Sequence, residues 1–334
     1  MTRLLLCQIF VILLGGLRHE NLLADQPSRT ELKVSPDLGV SKVAISETGG
    51  LIAFACEVPV LRDDKRSRTQ IRLFKMNDYK LITTIDCPGR LISSLQFTKD
   101  ARYLLTCDSS GSCIVWNVKD KSKVGTFIGQ NGEYSVAVIT SDGRYVVIND
   151  EHGNCTFWDV ATSKKIRELN DRKLACYAMI IKSDDSLVVM AGPSGRVTFI
   201  DVKSGRIQKD FDSMLGAIGS IALSPDNTKL LICGVSGTTL LWDIEGNFDI
   251  ANWSTPKQRP LVCAFRSDGK QVAIGTVSGY IVLLSVDKEA KVVSMTLQSK
   301  GLMITGLIYL GTEKSFISCS LTEPNADLWK NWPD

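Results

Sequence analysis

The sequence predicts an all-β ring of seven similar four-stranded antiparallel sheets. Three observations carry this. An apolar residue followed in most copies by a polar one recurs every 42 residues, at Phe74-Lys75, Trp116-Asn117, Trp158-Asp159, Ile200-Asp201, Trp242-Asp243 and Leu284-Ser285. A last step of 45 reaches Trp329-Lys330. An aspartate holds the same phase at Asp100, Asp142, Asp184, Asp226 and Asp268, and a glycine at Gly111, Gly153, Gly195, Gly237 and Gly279. A fixed period of roughly 20–50 residues marks supersecondary units that stack on one another.

Each unit reads as four short strands. In residues 135–169, SVAVIT alternates apolar and polar side chains, as a half-buried strand does. SDGR follows as a tight turn in which Gly143 supplies the positive φ. YVVIND is the second strand, EHGN the second turn with Gly153 at its critical position, NCTFWDV the third strand and KKIREL the fourth. SSLQFTKDARYLLTCDSSGSCIVWNVKDKSKVGTF and YAMIIKSDDSLVVMAGPSGRVTFIDVKSGRIQKDF repeat the plan. A sheet with two apolar faces needs a neighbour on each, and a ring provides both while leaving no long open edge.

The two ends differ from the repeats. Met1 to Arg3 gives a positive start, Leu4 to Leu17 a fourteen-residue apolar run, and Ala24 a small residue after it. Residues 1–24 thus read as a secretory signal peptide. The run is shorter than the roughly 20 residues of a spanning helix. The expected location is secreted or periplasmic, in the cell envelope, with no stable membrane insertion once the signal is cleaved; an uncleaved N-terminal anchor is the alternative.

Composition narrows the partners. The 334 residues are 44% hydrophobic and 22% charged, with a net charge of +3. That balance argues against nucleic acid, which calls for a steeper basic excess on one face. The ten cysteines do not suggest a disulfide framework: Cys7 lies in the signal, nine is odd, and LLICG, LVCAF and FISCS place Cys233, Cys263 and Cys319 as small hydrophobes in strands. Cys107 and Cys113 flank the turn DSSGS and face each other, so a bond between them is open.

These markers resemble the WD40 repeat family, with its period of about 40–45 residues, Ser-x-Asp-Gly turns and Trp-Asp pairs. The resemblance covers residues 31–332. It implies one seven-bladed β-propeller over residues 30–334, in which 30–35 (TELKVS) supplies the fourth strand that the last blade lacks. The Gly-His that commonly opens such repeats is absent. Ser110, His152, Ser194, Ser236 and Ser278 stand where the family usually has Asp. The full His–Ser/Thr–Asp–Trp hydrogen-bond network is therefore unavailable, and blades are expected to hold by apolar packing and backbone ladders.

Function is expected on the face that gathers the turns between second and third strands and the linkers between blades. Blade one alone carries a long insertion there, CEVPVLRDDKRSRTQ, with Arg62, Lys65, Arg66 and Arg68. Arg90, Tyr134, His152, Arg172, Arg196 and Arg259 fall on the same face. The expectation is a non-catalytic scaffold that binds a protein or peptide partner there, with no cofactor and no metal. His152 has no nucleophile motif beside it, and a metal site needs several ligands. The alternative is an enzyme that resembles lactonases or quinone-dependent dehydrogenases and acts on a small molecule at the central channel. The first strands argue against it: VAIS, LQFT, VAVIT, MIIK, IALS and CAFR contain no acid.

Overall fold

The computed structural model describes residues 28–57, 69–88, 91–129, 135–254, 259–286, 295–299, 303–311 and 314–330. They form seven four-stranded antiparallel sheets. Blades one to six occupy residues 39–87, 92–128, 135–170, 178–212, 218–254 and 260–298, each with its strands in chain order. Blade seven combines Ile304–Tyr309, Ser315–Ser320 and Ala326–Lys330 with Ser28–Leu32 from the N-terminal side. The first strand of every blade packs against the first strands of the two adjacent blades, with blade seven meeting blade one. First strands are therefore innermost, and the molecule is a closed seven-bladed β-propeller.

The clasp is shifted slightly from its expected position. Thr30 pairs with Leu328 and Leu32 with Ala326, but the strand spans Ser28–Leu32. Residues 33–35 leave the ladder: the Ser35 N–H donates to the Pro324 carbonyl at 2.8 Å. Val34 and Leu38 then bury themselves between blades seven and one. The segment so supplies both a ladder and an apolar plug.

There is no single core. The buried residues fall into seven clusters, one at each junction between adjacent blades. This explains the strand patterns. Second strands are buried almost throughout, as in Tyr145–Asp150, because they are covered on both faces, whereas the outer strand Lys164–Asn170 is exposed or half-buried along its length. Phe54, Phe127, Phe157, Phe199 and Phe316 are fully buried wedges. Each contributes about 1.5–3 kcal/mol by leaving water.

The indole part of the family's hydrogen-bond network survives only in part, and Trp242 Nε1 is buried without a partner. Trp116 Nε1 donates to Thr106 Oγ1 at 2.9 Å, Trp329 Nε1 to Ser318 Oγ at 2.8 Å, and Trp158 Nε1 to Thr156 Oγ1 at 3.1 Å. Cys107 and Cys113 are register partners in blade two and are bonded to each other.

Candidate functional site

The loop face is built by a repeated backbone device. In blades two, three, four and six the linker to the next blade docks on the turn between the second and third strands of its own blade. Gly129 N–H donates to Gly111 O at 3.1 Å, Asp171 to Gly153 O at 3.3 Å, Ser213 to Gly195 O at 3.0 Å, and Ser299 to Gly279 O at 2.9 Å. Gly153 shows why the position is glycine. Its φ is +84°, and a Cβ there would collide with the Asp171 carbonyl. The phase-keeping glycines are docking points as well as turn formers.

Acids at the ends of second strands cap these turns. Asp108 Oδ1 accepts from the backbone N–H groups of Ser110 at 2.9 Å and Ser112 at 3.0 Å. Asp150 Oδ1 accepts from His152 N–H at 3.0 Å and Asn154 N–H at 2.9 Å. Glu57 takes the corresponding place in blade one, and its Oε1 accepts from Ser41 Oγ and from Ile92 N–H of blade two. Its Oε2 is buried without a partner. Burial pushes the Glu57 carboxyl up, and the hydrogen bonds from Ser41 and Ile92 pull it partly back.

Of the residues singled out from the sequence, Arg62, Lys65, Arg66, Arg68, Arg90 and Tyr134 lie outside the described residues. The other four separate in role. His152 is half exposed, with Nε2 3.9 Å from Glu151 Oε1. The single-turn helix Arg172–Leu174 lies directly beside the His152-Gly153 turn, held by the Asp171–Gly153 contact. His152 and Arg172 thus share one patch. Arg196 is paired with Asp210 within blade four. Arg259 is exposed, and its carbonyl accepts from Val277 N–H at 2.9 Å.

Sequence reasoning missed an apolar collar. The residue just before an inner strand sits on the loop face nearest the axis. In blades two, four and seven that residue is Leu91, Tyr177 and Met303, which are 37%, 38% and 37% exposed. Arg259 occupies this position before blade six, and Tyr134 directly precedes the inner strand Ser135–Ile139. Met214, in the linker after blade four, is 84% exposed. The usable signal was the fixed position before each inner strand, which carries a bulky residue again and again.

The channel is differently made. Lys42 is the one charged side chain among the seven inner strands, and burial lowers its pKa. Several polar inner-strand side chains are used by the next blade. Ser94 Oγ accepts from Ala137 N–H at 2.9 Å, Gln96 exchanges two 3.1 Å bonds with the Ile139 backbone, and Ser220 Oγ accepts from Cys263 N–H at 3.2 Å. They satisfy inner edges that have no further strand to pair with. Among the described residues no group of three or more His, Cys, Asp or Glu side chains could hold a metal ion.

The profile of the WD domain, G-beta repeat (WD40), matches residues 79–117. That stretch runs from the third turn of blade one to Trp116-Asn117 of blade two. With seven four-stranded blades in a closed ring, it makes this chain a WD40-type β-propeller. No curated protein matches the chain. WD40 propellers commonly mediate protein interactions and are typically non-catalytic binding modules.

Proposed function

We propose that the chain is an exported interaction scaffold whose loop face holds a protein or peptide partner. The observation that carries this reading is the collar of Leu91, Tyr177 and Met303 around the channel mouth. Exposed apolar and aromatic side chains on a rigid scaffold suit a docking surface, where a few bulky anchors provide most of the affinity. The ring presents them with little rearrangement. Arg172, His152 and Arg259 border the collar and favour a partner with acidic groups, and Arg62, Lys65, Arg66, Arg68, Arg90 and Tyr134 are proposed to extend it. Arg196, paired with Asp210, contributes less. The binding reading is supported over the channel enzyme because the inner-strand polar groups are engaged in blade contacts. Among the described residues no helix is long and apolar enough to cross a membrane.

The test is affinity capture from the extracellular or envelope fraction of the source cells. The wild-type chain should retain a stoichiometric protein that Tyr177→Ala and Met303→Asp release. A tightly held small molecule with no protein partner would overturn the scaffold reading, and absence of the chain from that fraction would overturn export.

A further inference from the structure

Among the described residues seven cysteines are unbonded and buried, and six of them pack at blade junctions. Cys56 and Cys319 pack in the cluster between blades one and seven, Cys155 and Cys176 between three and four, and Cys233 and Cys263 between five and six. In each case the two residues come from different blades or from a blade and the linker leading to the next.

The local geometry brings each pair together. Cys233 lies opposite Ser220 in the ladder, and Ser220 Oγ is 3.4 Å from Cys263 Sγ. Cys155 lies opposite Asn149 in the ladder, and Asn149 Oδ1 accepts from Cys176 Sγ at 3.1 Å. Cys319 lies opposite Gly306, and the space left by the absent side chain holds its sulfur against blade one. Cys56 of blade one is near enough to oppose its ionisation.

We propose that Cys56–Cys319, Cys155–Cys176 and Cys233–Cys263 are disulfide-forming pairs that staple adjacent blades when the chain folds in the presence of a disulfide oxidant. In each pair one thiolate attacks the oxidant's disulfide, and a mixed disulfide forms as the first oxidant thiol leaves. The partner thiolate then displaces the second oxidant thiol. One protein S–S bond is made; two electrons pass to the oxidant, which is released as two thiols carrying the two protons. The Cys56–Cys319 staple would close a loop through nearly the whole chain, the case in which a crosslink most restricts the unfolded state.

The finished ring protects these thiols. Burial pushes Cys56 and Cys155 up to about 12 and raises Cys319 and Cys176 as well, leaving little thiolate to react. Exchange therefore belongs to folding, before the junctions close.

The test is refolding of the full chain with oxidised glutathione, then alkylation in denaturant and peptide mapping. Recovery of all three cross-blade peptides, with unfolding at least tenfold slower than for chain refolded in reductant, is expected. Fewer than three bridges, or bridges joining other partners, overturns the proposal. Cys263→Ala is the control: it should free Cys233 and leave the other two bridges in place, and scrambling of those two would also overturn it. The experiment uses purified chain, so its outcome is independent of where the protein resides and of its partner.

Discussion

The two faces of the ring are held by opposite means. On the face of the turns between first and second strands, most turns reach across to the next blade. Thr48 Oγ1 donates to Lys99 O, Lys99 N–H to Ser141 O at 3.0 Å, and Ser141 N–H to Asp185 Oδ1 at 2.8 Å. Ser183 N–H donates to Asn227 Oδ1 at 3.2 Å, Ser267 Oγ to Gly311 O at 2.5 Å, and Gly311 N–H to Glu47 Oε1 at 3.0 Å. Six of the seven junctions are stitched in this way. On the loop face, linkers dock mainly on the turns of their own blade. The bonds that do cross between blades there, Val40 N–H to Glu323 O, Ile92 N–H to Glu57 Oε1 and Ile218 N–H to Gly192 O, come from backbone N–H groups, so exposed side chains can change without loosening the ring. The stitched face keeps the ring.

If the ring depends on closure more than on any one blade, loss of the clasp should have the largest effect. Removing residues 28–34 strips the ladder from Ala326–Lys330, an otherwise buried strand, and withdraws Val34 from the junction. We expect a fall in melting temperature of about 10 °C or more, with aggregation through the bared edge. An unchanged melting curve would show that the stitched face suffices. Gly153→Ala tests the loop face. Positive φ and collision with the Asp171 carbonyl together should cost about 2–4 kcal/mol in urea unfolding. A much smaller loss would mean that linker docking matters little to the fold.

Much of this was legible in the sequence because propeller geometry repeats by phase. Gly111, Gly153 and Gly195 mark one turn, and the recurring Trp positions mark the third strands. The stitches were hidden, since Ser141–Asp185 and Ser183–Asn227 join residues of different units and no local pattern announces them. Glu57 was hidden for another reason: the insertion that follows it breaks the phase shared by Asp108 and Asp150. The collar residues were passed over because charge drew attention to Arg90 and Arg172, whereas exposure singles out Leu91 and Tyr177. The cysteines looked like strand hydrophobes because nothing in the chain order brings Cys56 near Cys319.

Glu57 sharpens the comparison from the loop side. In the unfolded chain its carboxyl titrates near the ordinary value of about 4.3. In the ring, burial raises its pKa. The folded state then holds the proton more tightly, so this group's stability is full below the unfolded value and is lost as pH rises through the folded one. Glu57→Gln keeps an Oε1 for Ser41 and Ile92 but removes the charge. Its unfolding free energy from urea titration should rise at about pH 8, by on the order of 1–2 kcal/mol, and change little at about pH 4. The stitched face goes the other way. Backbone and side-chain hydrogen bonds from Arg102 and Ser186 hold Asp100 and Asp184 below the usual carboxylate range. Their contribution is present above the unfolded value and fades as pH falls through the folded one.

The smallest effect separates strain from stitching. The turn position at Ala101, Gly143, Asp185, Asn227, Gly269 and Gly311 has a φ between +55° and +73° throughout. Asp185 and Asn227 adopt it although they carry side chains, and those side chains make the stitches to Ser141 and Ser183. Ala101 adopts it at +56° with only a methyl group, which lies against Gly49 of blade one. Ala101→Gly should therefore stabilise the protein slightly, by on the order of 0.5 kcal/mol after the lost burial and the looser unfolded chain are deducted from the relieved strain. Asp185→Gly relieves the same strain but removes the carboxylate that binds both the Ser141 N–H and its hydroxyl, so it should destabilise. Opposite signs in matched urea titrations would assign the hold between blades to the stitches. Equal gains would mean that the stitches add nothing, and the contrast between the two faces would fail.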